Sequence, residues 1–236
     1  MLWIYKYFNQ SIKRFTRERE MLRFYSKFIN KGDLCFDVGA HMGNRTEIFL
    51  KLGAEVVAIE PQEKCIQKLN KIFYNEKRLK LVNKGLSDKN GKLILYVCKD
   101  ATTISTFSKK WKRGRFSNYN WNMRKFVNVT TLDNLIKEFG IPVFCKIDVE
   151  GFEYFVLKGL SQPIKYISFE FTREFFSDAE SCINYLLSLG YVKFNCSLGE
   201  STNFHFNSWV TAEILSQKLA IIDDSMLWGD VYAKFI

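Results

Sequence analysis

An acid, Asp37, stands just before two glycines, Gly39 and Gly43, in the stretch FDVGAHMGN. Glycines at the end of a strand let the backbone approach a ligand closely, because no Cβ stands in the way. The spacing Asp37-x-Gly39-x-His41-x-Gly43 differs from the G-x-G-x-x-G of a dinucleotide site, where the following helix holds a pyrophosphate. An acid ahead of the glycines instead suits a ligand that bears positive charge.

A second acid, Glu60, ends the next apolar run, AEVVAIEP. A carboxylate at this place can accept hydrogen bonds from both ribose hydroxyls of a nucleoside. Taken alone, a glycine pair is more often a turn, and an acid at a strand end is more often a helix cap. Together they favour a nucleoside with a cationic, zwitterionic tail, which is S-adenosylmethionine.

A third group of acids follows the strand in KIDVEGFE, namely Asp148, Glu150 and Glu153. A methyl group on a sulfonium is already activated, so the protein chiefly aligns the nucleophile, but a hydroxyl nucleophile also benefits from a base. We predict Asp148 as this base, with Glu150 beside it; the alternative for Asp148 is a helix cap. Glu150 and Glu153 could equally hold the strand–helix turn or a cofactor amine.

Two further features bear on the chemistry. The acids of this region and Glu170, which ends the next strand, could bind Mg²⁺ through hard oxygen ligands, but we favour no metal and assign no ligand. The sequence has two histidines, and His205 lies in the polar-aromatic stretch TNFHFNS. We include His205 as a second candidate base, against the alternative of a surface loop histidine without a role.

Strands alternate with helices along the chain, which predicts a mostly parallel sheet with helices on both faces and ligands at the carboxyl ends of its strands. The predicted strands are DLCFDVG, AEVVAIEP, LKLVNKGLS, a return strand in DKNGKLILYVC, VFCKIDV, YISFEF, YVKFNCS and GDVYAKFI. The predicted helices are 12–30, NRTEIFLKLG, EKCIQKLNKIFYN, TTLDNLIKEFGIP, EGFEYFVLKGL, SDAESCINYLLSLG and SWVTAEILSQKLA. Three local signals support them: a hairpin at Asn90-Gly91, an N-cap at Thr131, and a capping box from Ser177 to Glu180.

The stretches GDLCFDVGAHMGN, AIEP, LSDKNGKL, TTLDNLI and above all KIDVEGFEYFVLKG resemble the FkbM-type S-adenosylmethionine-dependent methyltransferases. The resemblance implies an α/β, Rossmann-like sheet of seven strands, mostly parallel, with an antiparallel last strand and helices on both faces. It also implies that the first loop wraps the methionine part of the cofactor, that Glu60 holds the ribose, and that residues 86–88 lie near the adenine. The cofactor residues that follow are Asp37, Gly39, Ala40, His41, Gly43, Glu60, Pro61, Leu86, Ser87 and Asp88.

The net charge of +10 is concentrated in two segments. Residues 1–31, for which we predict an N-terminal amphipathic helix, hold eight basic and two acidic residues, and residues 101–132 hold seven basic residues and no acid. We predict that an insertion at about 99–126 binds the acceptor, with aromatic side chains that stack on sugars and basic ones that hold phosphates. These are Trp111, Tyr119, Trp121, Lys109, Lys110, Lys112, Arg113 and Arg115. Solvated helix faces and a basic loop are the alternative.

We therefore predict one domain, 1–236, that transfers a methyl group to a hydroxyl of an anionic, sugar-containing acceptor, such as a glycan, nucleotide-sugar or glycolipid, or of a related small molecule. A basic-aromatic insertion also suits nucleic acid, so an RNA methyltransferase is the alternative, and a non-catalytic cofactor-binding module is a third. The family resemblance ranks sugars above RNA. The basic segments leave open a peripheral contact with a membrane.

Composition bears on location. The six cysteines form no C-x-x-C pair, which favours reduced, mostly buried thiols in a cytoplasmic protein over a zinc site or disulfides. No apolar run approaches the length of a membrane span, and the N-terminus lacks the apolar region of a secretory signal.

Overall fold

The computed structural model describes residues 15–236, and it opens with a helix, α1, over residues 15–25. Its apolar face buries Met21 and Tyr25, and the turn that follows buries Phe28 and Ile29. The predicted amphipathic helix over 12–30 is thus shorter at its C-terminal end, and Ile12 lies outside the described residues. Phe15 projects into solvent with 62% of its surface exposed, so the buried face begins further along the helix than the sequence pattern indicated.

Ten strands and six further helices follow along the chain. The strands are β1 (Leu34–Val38), β2 (Glu55–Ile59), β3 (Leu79–Val82), β4 (Gly85–Leu86), β5 (Gly91–Val97), β6 (Met123–Thr130), β7 (Phe144–Ile147), β8 (Tyr166–Thr172), β9 (Val192–Leu198) and β10 (Trp228–Phe235). The helices are α2 (Asn44–Lys51), α3 (Glu63–Ile72), α4 (Leu132–Phe139), α5 (Glu153–Leu157), α6 (Phe176–Leu189) and α7 (Ala212–Ala220).

Seven strands form the main sheet in the order β3-β2-β1-β7-β8-β10-β9. The last strand of the chain, β10, runs antiparallel to both of its neighbours, and the other paired strands are parallel. The predicted fold class is confirmed. Because consecutive parallel strands need a crossover connection, the helices lie on the faces of the sheet and the loops after β1, β2, β7 and β8 meet at one edge.

A second sheet of three strands corrects one prediction. The hairpin signal at Asn90-Gly91 predicted that the return strand would pair with the strand before it, but β6 lies between β4 and β5. The side-chain oxygen of Asn90 accepts hydrogen bonds from Thr130 at the end of β6 and from Asn134 in α4, at 3.0 and 2.8 Å. The turn is therefore local, while the pairing partner comes from later in the chain. The insertion predicted at about 99–126 ends where β6 begins, at Met123.

The sequence predicted N-terminal caps for two helices, and one of the two predictions is correct. Thr131 caps α4 as predicted, and its hydroxyl accepts from the amide of Asn134. The capping box at Ser177 is wrong, because a 3₁₀ turn over Arg173–Phe175 leads directly into α6 at Phe176. Ser177 therefore lies within the first helical turn.

The core packs against both faces of the main sheet. One cluster joins the apolar side chains of β7 and β8 to α4, α5, α6 and α7. The other is rich in aromatic rings and places α1 and α2 against the opposite face, where Phe28 stacks on Tyr232. All six cysteines are buried free thiols, as predicted. Among residues 15–236, none of the helices could span a bilayer.

Candidate active site

Two adjoining cavities lie at the carboxyl ends of the parallel strands of the main sheet. The first has a volume of about 470 Å³, including its open mouth, and is lined by the residues after β2 and by β4, including Glu60, Pro61 and Leu86. The second encloses about 1340 Å³, including its open mouth, and extends past β8 to the insertion. Five residues line both cavities and so mark their junction: Gly39, His41, Thr103, Asp148 and Glu150. The sequence-predicted glycine loop and KIDVEG motif thus meet at this junction.

Gly39 is required by the packing of one backbone segment against another. It has a φ of 85°, and a Cβ built on it would lie 1.8 Å from the carbonyl oxygen of Asp148. Gly43, with a φ of 83°, would bring a Cβ within 2.6 Å of Leu69 in α3. The loops after β1 and β7 can therefore approach only because Gly39 carries no side chain, while Gly43 leaves room for the side chain of Leu69.

His41 adopts a left-handed backbone conformation, with a φ of 46°. Its amide donates to Oε2 of Glu60 at 2.9 Å, and its ring Nε2 lies 3.0 Å from the hydroxyl of Thr102. Burial of the ring lowers the pKa of His41. These contacts tie the loop after β1 to the end of β2 and to the insertion.

Glu60 is held within the protein by backbone amides. Its Oε1 accepts from the amide of Gln62 at 2.7 Å, and its Oε2 accepts from the amide of His41. The residue is 3% exposed, and this burial raises the pKa of Glu60 to about 7. Each carboxylate oxygen has a further lone pair, so the group can still accept from a ligand.

Asp37 lies beneath the glycine loop. Its Oδ2 accepts from the hydroxyl of Thr46 in α2 at 2.5 Å, and burial raises the pKa of Asp37. Asp37 and Ala40 line the second cavity with Gly39 and His41. The structure thus brings these predicted residues of the glycine loop together.

Four predicted site residues line neither cavity. One is Gly43, whose missing side chain leaves room for Leu69 and Phe73. Leu86 lines the first cavity, but Ser87 and Asp88 line neither, because the chain turns there and the Ser87 amide bonds to the carbonyl of Thr130. His205 also lines neither cavity: it is exposed in the loop after β9, and its amide donates to the carbonyl of Cys196. Since β9 is the edge strand furthest from β3, the loop geometry separates His205 from Asp148.

Three carboxyl groups converge on the wall of the second cavity. One oxygen from each of Asp148, Glu150 and Glu170 lies within 4.8 Å of the others. Beneath them is the buried ammonium of Lys146, with Nζ 3.2 Å from Asp148 Oδ2 and 2.9 Å from Asp230 Oδ1. Such hard oxygen donors could hold a divalent cation.

The three carboxyl groups differ in burial and in their neighbours. Burial, reinforced by the neighbouring carboxyl groups, raises the pKa of Glu150 and of Glu170 well above the usual range. Asp148 keeps 39% of its side chain exposed and has the cation of Lys146 beside it. Of the three, Asp148 is therefore the group best placed to act as a carboxylate.

Sequence reasoning missed the residues that support this cluster. Lys146 was a visible signal, since a lysine inside the continuous apolar strand FCKI needs a buried partner. Its partner Asp230 stands directly opposite Glu170 in the pairing of β10 with β8. Glu153, one of the ambiguous acids, accepts from the amides of Val149 and Gly151 at 3.0 and 3.3 Å and so holds the strand–helix turn.

The insertion forms a fixed wall. Trp111 is 3% exposed and packs on Gly151, where a Cβ would lie 2.7 Å from its ring. The hydroxyl of Thr106 donates to the carbonyl of Glu150 at 2.6 Å. Of the predicted aromatic residues, Tyr119 is the exposed one, and Trp121 donates through Nε1 to the carbonyl of Phe116.

The predicted phosphate-binding residues separate into two groups. Arg115 lines the second cavity. The other four line neither cavity: Lys109 and Arg113 are exposed, Lys110 pairs with Asp178 at 3.0 Å, and Lys112 lies 4.3 Å from the centre of the Tyr96 ring.

Comparison with protein families identifies a methyltransferase FkbM domain over residues 37–193, two thirds of the chain. Comparison with curated protein sequences gave no match.

Several solved structures are similar to the chain at low sequence identity. One is the precorrin-6y C5,15-methyltransferase of Geobacter metallireducens, 9% identical, covering 92% of this chain and 87% of that one with a TM-score of 0.49. An rRNA methylase of Streptococcus thermophilus is 12% identical, with coverage of 91% and 93% and a TM-score of 0.45. A Streptococcus mutans structure in complex with SAH is 13% identical, with coverage of 91% and 95% and a TM-score of 0.45.

The family match spans the glycine loop, Glu60 and the KIDVEG motif, which are the elements that build the junction of the two cavities. The chain belongs to the FkbM methyltransferase family, and its cofactor is S-adenosylmethionine.

Proposed function

We propose that the protein methylates a hydroxyl group of a sugar-containing acceptor, with Asp148 as the base. The observation that carries this proposal is the position of Asp148, which lines both cavities. A group at this junction can contact the acceptor at the place where the methyl group is transferred. In-line displacement needs this alignment more than any other contribution from the protein.

The first cavity fits the nucleoside part of the cofactor. Gly39 lines this cavity and has no side chain, and a carboxylate, Glu60, lies at the end of β2 with lone pairs left to accept ribose hydroxyls. When bound, S-adenosylmethionine supplies an activated methyl group on a sulfonium centre. We assign the loop around Gly39 to its methionine part.

Asp148 acts on the acceptor side of the junction. Its carboxylate accepts the proton of the acceptor hydroxyl as the oxygen–methyl bond forms and the sulfur–methyl bond breaks. Lys146, fixed between Asp148 and Asp230, holds the carboxylate in place and offsets its charge. Glu150 and Glu170 line the same cavity beside Asp148, and burial, which raises the pKa of both, favours the protonated form that can donate a hydrogen bond to an acceptor oxygen.

A sugar acceptor is supported over RNA by the character of the insertion. The second cavity combines polar groups with aromatic walls from Trp111, Phe116 and Trp228, which suits a polyhydroxylated ring. A single-stranded nucleic acid would need exposed rings on which successive bases stack. The insertion buries Trp111 and leaves Tyr119 as its exposed ring.

The test uses labelled S-adenosylmethionine with a panel of sugar glycosides, nucleotide-sugars and RNA, on wild type and Asp148→Asn. We expect product on a sugar hydroxyl and a fall in turnover of about 10²-fold or more in the variant. Affinity for S-adenosylhomocysteine should stay within about twofold. Glu180→Gln, at an exposed acid on α6, is the control and should leave turnover unchanged. Product on RNA alone, or wild-type turnover in Asp148→Asn, would contradict the proposal.

A further inference from the structure

The second cavity contains hydrogen-bond donors that the protein leaves unused. The side chain of Arg115 is 11% exposed, yet its Nε and Nη2 have no hydrogen-bond partner anywhere in residues 15–236. The same holds for the buried indole Nε1 of Trp111, within that same part of the chain. Both residues line the second cavity. Because a buried donor without an acceptor is destabilising, such groups indicate a ligand that accepts from them.

Glu174 lies beside the guanidinium of Arg115 and positions it, but accepts no hydrogen bond from its Nε or Nη2. The Nε of Arg115 lies 3.3 Å from Oε1 of Glu174 without the alignment of a hydrogen bond, and its backbone amide donates to the same oxygen at 3.4 Å. Gly114 allows this approach, since a Cβ there would lie 2.7 Å from Glu174 Oε1. Glu174 thus fixes one edge of the guanidinium and leaves Nη2 available.

A guanidinium has a planar fork of donors that matches the oxygens of a carboxylate or phosphate. The exposed cations of the insertion offer no such built site, because Lys109 and Arg113 lie in solvent and line neither cavity. The chemistry of the second cavity therefore favours an anionic group on the side of Arg115.

We propose that the acceptor carries a carboxylate or phosphate group and that Arg115, with the indole N–H of Trp111, binds this group while Asp148 faces the hydroxyl to be methylated. This inference rests on the proposed function, because it places the acceptor in the second cavity. It assigns selection of the acceptor to one buried arginine rather than to the basic surface of the insertion.

The test is calorimetry on protein saturated with S-adenosylhomocysteine, titrated with glucuronate, glucose 6-phosphate and neutral glucose. We expect one of the two anionic sugars to bind at least tenfold more tightly than glucose, and the tighter one identifies carboxylate or phosphate. Arg115→Gln should lose at least tenfold in affinity for that sugar, and Arg115→Lys should lose less. Arg113→Gln, two residues away and exposed, is the matched control and should stay within twofold.

Two outcomes would overturn the inference: equal binding of glucose and both anionic sugars by wild type, or equal losses in Arg115→Gln and Arg113→Gln. The wild-type comparison needs no variant, so it holds even if Arg115→Gln folds poorly. Unchanged affinity for S-adenosylhomocysteine confirms an intact first cavity. Methyl transfer to a neutral sugar, unaffected by Arg115→Gln, would contradict the anion site and leave the proposed methyltransferase function standing.

Discussion

The two cavities differ in how their polar groups are satisfied. In the first, both oxygens of Glu60 accept backbone amides, and the ring of His41 is paired with Thr102. In the second, Glu170 Oε2, Thr172 Oγ1, Trp111 Nε1 and two nitrogens of Arg115 find no partner within the part of the chain that the structure describes. The first cavity is organised by the fold itself, while the second has donors and acceptors that a ligand can complete.

This difference matches a division of labour between cofactor and acceptor. A site that is formed before its ligand arrives avoids the free-energy cost of ordering side chains on binding. A site whose buried polar groups need the ligand discriminates strongly, because a molecule without the matching groups leaves them unpaired. We infer that the first cavity favours affinity and the second favours selection. Three predictions test this comparison.

The largest effect should come from Gly39→Ala, which alters the loop that lines the first cavity, the cavity organised by the fold itself. A methyl group there would overlap the carbonyl oxygen of Asp148 at 1.8 Å and would force a side chain into the left-handed region. Adding a conformational strain of ~1–2 kcal/mol to an overpacking cost of ~1–3 kcal/mol, we expect a loss of about 3 kcal/mol or more in the free energy of unfolding. Binding of S-adenosylhomocysteine should be lost with it. Denaturant melts and calorimetry measure both quantities.

Gly32→Ala is the matched control for this prediction. Gly32 has nearly the same φ, 87°, but no atom lies within 4 Å of the added Cβ. It should lose only the conformational term of about 1 kcal/mol and keep its cofactor affinity. Equal losses in the two variants would mean that backbone conformation, not the close approach of β1 and β7 loops, makes Gly39 necessary.

A smaller effect is expected from substituting Glu60. Backbone amides donate to this carboxylate, and we propose that it also accepts hydrogen bonds from the ribose of the cofactor. Glu60→Gln should weaken binding of S-adenosylhomocysteine by about 2–3 kcal/mol, because hydrogen bonds to a charged group are worth ~1.5–3 kcal/mol each and are not additive. Glu63→Gln, an exposed acid three residues later, should bind as wild type. Identical dissociation constants for Glu60→Gln and wild type would remove Glu60 from the ribose site.

The pH dependence of binding sharpens this prediction. The pKa of Glu60 is raised to about 7 by burial, against the opposing effect of the Gln62 and His41 amides. Ribose hydroxyls donate to the carboxylate form, so affinity should rise as the pH increases through 7 and the proton leaves. Between pH 6 and 8 the ionised fraction of such a group changes by about tenfold, and wild-type affinity should follow it, while that of Glu60→Gln should not. Calorimetry at pH 6, 7 and 8 measures the slope.

The sequence predicted the main sheet well for a physical reason. Strand–helix periodicity fixes the order of elements, and Gly39 marks a loop where two backbone segments must approach. It did not predict the pairing of β5 with β6, because the residues around Asn90-Gly91 give no sign that a strand from later in the chain pairs with β5.

Tertiary packing also decides which side chains line the second cavity. Lys109 and Arg115 are the same kind of residue in a basic segment, and only the fold of the insertion places Arg115 in the cavity. His205 looked suitable by residue type, yet the position of β9 at the sheet edge takes it away from Asp148. Chemistry that depends on which side chain faces inward cannot be read from composition.

The smallest effect is expected from removing divalent metal ions, which tests how the carboxyl cluster of the second cavity is neutralised. Lys146 already offsets Asp148, and burial raises the pKa of Glu150 and of Glu170, which disfavours their charged forms. A dication needs ionised carboxylate ligands, and metal binding competes with protons for such groups. We therefore expect turnover at pH 7 to change by less than about twofold when EDTA replaces added Mg²⁺. Glu170→Gln, which cannot release a proton to a metal, should give the same ratio as wild type. If EDTA abolished turnover and Mg²⁺ restored it in wild type but not in Glu170→Gln, the cluster would be a metal centre, and the ligand that completes this side of the second cavity would be a cation.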